Sequence, residues 1–242
     1  MYPGQSISSI EKELDLSFQK INHWYADLNH NIDSYNSLTV ANNQFEKLLL
    51  KHTSNPKTMR YDFKSLRKNG LQVSSSEDGK FRIYSWDTWK GGTMHSFKNI
   101  FQYESDNQVY STIIGDNSEM NAQSFYYQIN DVISQDKKYY LAQSTAIYSS
   151  ALTSHSIKVF SIDNGKLNSD ARLIKTKTGI RNQLGYEIDL SANSNLDNEI
   201  RNYDIEYDAK KKIISIPLIL DDYKVTEKKI RYQFKGKYFE KI

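Results

Sequence analysis

The segment Arg82-Ile83-Tyr84-Ser85-Trp86-Asp87-Thr88-Trp89-Lys90-Gly91-Gly92-Thr93-Met94-His95 gathers two tryptophans, an acid, two adjacent glycines, an arginine and a histidine. Side chains of these types do binding chemistry. An indole stacks on a flat or apolar group, while Arg82, Asp87 and His95 supply directional hydrogen bonds. A strand entering through Trp86-Asp87 and another leaving from Met94 would put the intervening residues in a loop at a sheet edge. There Gly91 and Gly92 let the backbone turn sharply or approach a ligand closely. Two readings follow. In the first, Trp86 or Trp89 is a stacking platform, and Arg82, Asp87, Gly91, Gly92 and His95 complete a surface for a protein, peptide or polymer ligand. In the second, Trp86 fills the core under the hairpin, Asp87 accepts backbone N–H groups of the loop, and His95 is satisfied locally.

Other chemistries find less support. His23 and His30 fall on one predicted helix, two turns and about 10 Å apart along its axis, too far for one ion to bridge. Asp116-Asn117-Ser118-Glu119 lacks the glycine and the correctly spaced bidentate acid of an EF-hand, and no His-Glu-x-x-His is present. The chain has no cysteine, which removes disulfides, thiolate zinc sites and a cysteine nucleophile. No metal or other cofactor is expected. A Gly-x-Ser-x-Gly elbow and a Walker phosphate loop are both missing from the sequence. His155, within Thr153-Ser154-His155-Ser156, could adjoin a hydroxyl nucleophile in space, and Asp221-Asp222 reads as a pair of solvated turn acids. Ser76, Asp78 and Gly79 evoke the Asp-box hairpin of some propellers but depart from it in the glycine spacing and the absent Thr-Trp. Such a turn argues for a hairpin and not for glycosidase chemistry.

The elements that must position these residues change character along the chain. From Ile7 through Ile10, Leu14, Phe18, Ile21, Tyr25, Leu28, Ile32 and Tyr35, apolar residues recur at spacings of three and four, the signature of one helix face. Ser8 and Glu11 fit a capping box at its start. After polar Asn36 to Asn43, Phe45, Leu48 and Leu49 predict a shorter second helix ending before Asn55-Pro56, where proline cannot continue it. Beyond residue 60, short runs of Tyr, Ile, Val and Phe alternate with Asp, Asn and Gly. The expected strands include Leu71 to Ser75, Phe81 to Trp86, Met94 to Glu104, Gln108 to Ile114, Ser124 to Ile133, Tyr139 to Tyr148, Ile157 to Ile162 and Ala171 to Thr176. Two hairpins follow, pairing Ile205 to Asp208 with Ile213 to Leu220 and Lys229 to Phe234 with Tyr238 to Ile242. Asp78-Gly79, Asp163-Asn164-Gly165 and Asp208-Ala209-Lys210 supply turns that tolerate positive φ. Pro217 cannot donate a ladder hydrogen bond, so its strand should be an edge or carry a bulge. The expected fold class is α+β, predominantly β. It comprises a helical segment over residues 1–60 and an antiparallel meander over 61–242, curled as an open propeller or half-barrel.

Composition agrees with this class. Hydrophobic residues make up only 38%, but 18 Tyr and 10 Phe restore the apolar area and favour half-buried sheet faces. The net charge of +3 comes from 32 basic and 29 acidic side chains, too even a balance to call for nucleic acid. The runs Lys210-Lys211-Lys212 and Lys228-Lys229 read as solvated strand edges that discourage aggregation. No stretch approaches the roughly 18 apolar residues of a membrane span. The opening Met1-Tyr2-Pro3-Gly4 does not read as an export signal, although a removed signal would leave the same start.

Ser76 to Thr88, followed by Gly91-Gly92-Thr93-Met94-His95, resembles a segment of uncharacterised exported proteins of Gram-negative bacteria. Tyr140-Leu141, Ile157-Lys158-Val159-Phe160 and Tyr232-Gln233-Phe234-Lys235-Gly236 are similar to further pieces of them. The resemblance implies export to the periplasm or beyond and a β-rich fold, and it transfers no catalytic residue. The leading expectation is a non-catalytic exported binding protein that presents its aromatic loop to a partner. Two alternatives stay open: an inhibitor or immunity protein against a secreted toxin or cell-wall hydrolase, and a hydrolase with residues scattered over the sheet rim.

Overall fold

The structure, a computed structural model, describes residues 5–28, 30, 33–115, 123–189, 191, 204–221 and 225–242. Of the residues named above, Met1 to Gly4, Ile32, Asp116 to Glu119 and Asp222 lie outside the described residues.

Three helices open the chain: α1 (Ile7–Ala26), α2 (Ser34–Thr53) and the short α3 (Lys64–Lys68). In α1 the expected stripe forms, and Ile10, Leu14, Phe18 and Ile21 are all buried. Its cap is Ser6 and not Ser8. The Ser6 hydroxyl accepts the Ser9 N–H at 3.1 Å. With the helix starting two residues early, Glu11 lies beyond capping reach. It accepts instead from the Tyr61 hydroxyl (2.6 Å) and the Ser65 N–H (2.9 Å), tying α1 to α3. The stripe also does not run unbroken to Tyr35. Helix α1 stops at Ala26, and the Asp27 carboxylate accepts the Ser34 hydroxyl (2.8 Å), fastening the end of α1 to the start of α2.

The second helix matches the first in length and contains the polar stretch Asn36 to Asn43. It does so because Leu38, Ala41, Phe45 and Leu49 keep helical spacing on a buried face, and Asn42 is buried among them. After Thr53 the chain enters a 3₁₀ turn, Pro56–Thr58, where proline needs no amide hydrogen and Asn55 caps the Lys57 N–H. No helix among the described residues is long and apolar enough to cross a membrane.

The first sheet is a four-stranded antiparallel meander of β1 (Gln72–Ser75), β2 (Phe81–Asp87), β3 (Phe97–Ser105) and β4 (Gln108–Thr112). Next come β5 (Phe125–Ser134), β6 (Lys137–Ile147), β7 (Leu152–Asp163), β8 (Lys166–Asn168), β9 (Ile174–Thr176), β10 (Gly179–Arg181) and β11 (Gln183–Asp189). The last four are β12 (Glu206–Asp208), β13 (Ile213–Ile219), β14 (Val225–Phe234) and β15 (Phe239–Lys241). They form a sheet of order β11-β7-β6-β5, with β8 beside β7, and a six-stranded sheet of order β10-β9-β15-β14-β13-β12. The class is α+β, mainly β, with its strands in three open sheets. Meander order holds within runs of neighbours, while β15 inserts between β14 and β9 and pairs with β9 in parallel. At Pro217 the ladder between β13 and β14 slips, the bulge that a missing N–H requires.

The chain divides into two compact units, Met1–Tyr126 and Tyr127–Ile242. The division falls two residues into β5 and not near residue 60. Residue 60 does not mark the end of the helical part either, since α3 follows it and the first strand starts at Gln72. Helices and first sheet belong to one unit, because α1 and α2 bury their apolar faces on that sheet. Phe18, Phe45 and Leu49 share one core with Val73, Tyr84, Trp86 and Ile100. In the second unit Leu141, Ile157 and Val159 of one sheet pack with Ile174, Ile214 and Phe239 of the other.

Candidate functional site

The loop between β2 and β3 is built from its two ends inward. Thr88 donates both its N–H and its hydroxyl to the Ser96 carbonyl, each at 2.8 Å, which closes the neck of the loop. At the end of β2, beside the neck, Asp87 uses both carboxylate oxygens. One accepts the Trp89 N–H at 2.8 Å, and the other is hydrogen-bonded to His95 Nδ1. A carboxylate can only accept, so Nδ1 carries the hydrogen, and Nε2 is left with no partner among the described residues. The His95 side chain is 31% exposed.

Trp89 has φ 59, in the left-handed region. That conformation costs an L-residue about 1–2 kcal/mol. The Asp87 bond to its N–H and the stack of its ring on Tyr25 offset this. The two ring centroids are 4.3 Å apart with an 18° interplanar angle. His95 meets the indole edge-on at 5.7 Å and lies parallel to Phe97 at 6.1 Å. Lys90 sits over the exposed ring of Tyr35 at 5.6 Å. Tyr25, Trp89 and His95 thus form one aromatic cluster on the first unit, and Lys90, the residue after Trp89, rests on Tyr35.

Of the residues expected at a site, Asp87, Trp89, Gly91, Gly92 and His95 belong to this loop. Arg82 and Trp86 do not. Trp86 is 1% exposed, its ring meeting Phe45 edge-on at 5.2 Å and its indole N–H donated to Asn42 Oδ1 at 3.1 Å. A tryptophan so enclosed cannot stack on a ligand. Arg82 is 6% exposed, and its guanidinium donates to the carbonyls of Thr58 (2.9 Å) and Tyr61 (2.6 Å) and to the Ser75 hydroxyl (2.8 Å). Strand alternation does not separate them from the surface, because β2 is covered on both faces over most of its length.

The two glycines are required for different reasons. A Cβ on Gly91 would overlap the Met94 carbonyl, whereas Gly92 has φ +63 and open space around it. Gly91→Ala should therefore destabilise the first unit by about 1–3 kcal/mol as the loop is pushed apart. Gly92→Ala should cost about 1 kcal/mol from backbone strain alone. Urea unfolding followed by tryptophan fluorescence checks the order, since Trp24, Trp86 and Trp89 all lie in the first unit. Equal effects would show that the Met94 contact does not constrain the loop.

His155 is placed elsewhere, in the second unit on β7. Its Nε2 lies 3.4 Å from the Thr153 hydroxyl, and its Nδ1 lies 3.3 Å from both the Thr145 hydroxyl and Asp204. Tyr186 stacks on the ring at 5.5 Å. Burial holds the imidazole below its ordinary titration range, and the Asp204 carboxylate opposes that shift without cancelling it. Burial likewise pushes the Tyr127 and Tyr186 hydroxyls up. Because the folded value lies below the unfolded one, protons favour the unfolded chain. The stability His155 contributes is present above about pH 6.5 and is lost as pH falls through the folded value. Urea unfolding followed by far-ultraviolet circular dichroism at about pH 7.5 and about pH 5 should show a smaller acid loss in His155→Phe than in the unaltered chain. Equal losses would mean that His155 does not couple folding to protons.

The basic runs sit on hairpins. Asp208 Oδ1 accepts the N–H groups of Lys210 and Lys211, and Lys229 pairs with Glu206 at 2.6 Å. Asp78 Oδ1 accepts from the Ser76 hydroxyl and the Lys80 N–H in the turn between β1 and β2. Sequence reasoning missed Tyr25 and Tyr35 as surface residues, and Asn42 as the buried link between core and loop. Asn42 donates to the Thr88 carbonyl at 3.0 Å. Its signal was a polar residue on the apolar helix face of Leu38, Phe45 and Leu49. Set against protein-family models, curated proteins and solved structures, the chain matches none of them.

Proposed function

We propose that the protein is a non-catalytic exported binding protein whose loop between β2 and β3 presents Trp89 to a peptide, protein or polymer partner. The observation that carries this reading is the Tyr25–Trp89 stack, two parallel rings 4.3 Å apart and partly open to solvent. Rigid, half-exposed aromatics lose little conformational entropy on binding and dominate recognition surfaces. The Asp87 clamp holds the indole in place before a ligand arrives, and His95 Nε2 adds a directional hydrogen bond beside it.

The test is selection of ligands for the full chain from a displayed library of linear peptides and from an array of bacterial glycans. Trp89→Ala and Tyr25→Ala should each weaken a selected ligand by about 30-fold, the effect of losing a hot-spot aromatic worth about 2 kcal/mol. Circular dichroism should stay unchanged. Failure to select any ligand overturns the reading, as do ligands that tolerate both substitutions within about threefold.

A further inference from the structure

The solvent-facing side of the helical pair carries a groove. On α1, Leu16, Lys20 and Trp24 follow one another every fourth residue, and Val40, Gln44 and Leu48 do the same on α2. Ridges of this spacing are the ones into which a further helix packs. One hollow of ≈ 480 Å³ contains Leu16, Lys20, Gln44 and Leu48. A second of ≈ 540 Å³ contains Lys20, Trp24, Val40 and Gln44. Their shared residues make them one trough, about 16 Å long from Glu13 to Trp24, or three helical turns.

Trp24 and Leu48 pack against the core from the trough, while Leu16 and Val40 stand 56% and 53% exposed. Such large apolar side chains, aligned over a hollow, leave uncovered the kind of surface that association buries. The charges say what would cover it. Lys20 and Lys47 line the trough on opposite helices, and neither meets an acidic side chain among the described residues. Glu13, at one end, is already engaged by His52 at 3.1 Å and Gln5 at 2.9 Å. The trough therefore offers a mostly apolar lining with two unpaired cations, Lys20 at its middle on α1 and Lys47 beside Leu48 on α2.

We infer that this groove docks an amphipathic helix of a partner protein, with an apolar stripe on Leu16, Trp24, Val40 and Leu48 and acidic residues along both flanks opposite Lys20 and Lys47. This is recognition of a helix in a groove, with charge selecting the partner. It is separate from the aromatic loop, and its test does not involve Trp89.

The experiment uses the full chain and a fluorescently labelled, idealised helical peptide of about 18 residues, long enough to form a helix on docking. The peptide has leucines at heptad spacing and glutamates on both flanks, and its counterpart carries lysines in place of the glutamates. The acidic peptide should bind at least tenfold more tightly than the basic one by fluorescence anisotropy. Leu16→Glu and Val40→Glu, at exposed positions, should each weaken the acidic peptide at least tenfold with the circular dichroism spectrum unchanged. The double substitution Lys20→Glu and Lys47→Glu should reverse the preference between the two peptides. Absence of binding, equal binding of the two peptides, or indifference to Leu16→Glu and Val40→Glu overturns the inference. Sedimentation of a dimer that Val40→Glu abolishes also overturns it, because a second copy would then be the occupant.

Discussion

Truncation of Trp86 to alanine is expected to destabilise the first unit by about 3–5 kcal/mol, the cost of deleting a large aromatic side chain from a closed core. The side chain is 1% exposed and packs edge-on against Phe45, so the vacated volume has rigid walls. A further loss comes from Asn42, whose Oδ1 would keep its buried position without the indole N–H. Trp86→Phe separates the two contributions. It retains most of the ring but leaves that oxygen unpaired, so its cost should be about 1–3 kcal/mol. Urea unfolding followed by the fluorescence of Trp24 and Trp89 measures both. A Trp86→Ala variant within about 1 kcal/mol of the unaltered chain would mean that Trp86 is not part of the closed core. The effect should also reach the loop. Asn42 binds Trp86 through its oxygen and the Thr88 carbonyl through its nitrogen, so a disturbed Asn42 loosens the start of the segment that carries Trp89.

Arg82→Met is expected to cost on the order of 3 kcal/mol, because the thioether fills the space of the guanidinium without replacing its hydrogen bonds. The carbonyls of Thr58 and Tyr61 would lose a charged donor where α2 gives way to α3. The buried chain beyond it would feel the change. The Tyr84 hydroxyl, whose ionisation burial pushes up to about 12, donates to Gln102 Oε1 at 2.8 Å, and Gln102 in turn donates to the Thr58 hydroxyl at 2.9 Å. These bonds hold the connection between α2 and α3 to the sheet. Arg82→Lys should recover only part of the loss, since an ammonium cannot reach two carbonyls and the Ser75 hydroxyl in the planar fork that arginine provides. Full recovery by lysine in urea unfolding would show that charge, and not the geometry of the fork, is what the site requires.

Much of the fold was legible because it follows from local chemistry. The repeat of Ile10, Leu14, Phe18 and Ile21 defines a helix without reference to anything else. Asn164-Gly165 and Asp78-Gly79 stand at turns because Asn164, Gly165 and Gly79 take positive φ, and Pro217 forces a bulge because it lacks an N–H. Where local signals compete, packing between distant segments decides. The capping box expected at Ser8 and Glu11 does not form, because the helix starts at Ile7 and leaves Ser6 to accept the Ser9 N–H. The polar run Asn36 to Asn43 hides a helix whose buried face includes an asparagine. The three residues Met94 to Ser96 resemble a strand but close a loop, because the bonds of Thr88 to Ser96 and of Met94 to Gly91 end the ladder before Phe97.

By itself the sequence determined that an amphipathic helical pair precedes a β-rich region, and that the residues around Trp86 to His95 differ in kind from the strands beside them. Those conclusions depend on periodicity, turn residues and side-chain type, all of which act over a few neighbouring positions. Tertiary structure alone decided which of the two tryptophans reaches the surface. Trp86 and Trp89 are three residues apart and chemically identical, yet the first is sealed beneath Phe45 and Asn42 while the second stacks on Tyr25 at the surface. Those partners come from α1 and α2, more than forty residues upstream of the tryptophans they touch. Burial is set by what packs against a side chain, and contacts between distant segments leave no periodic trace in the chain that makes them.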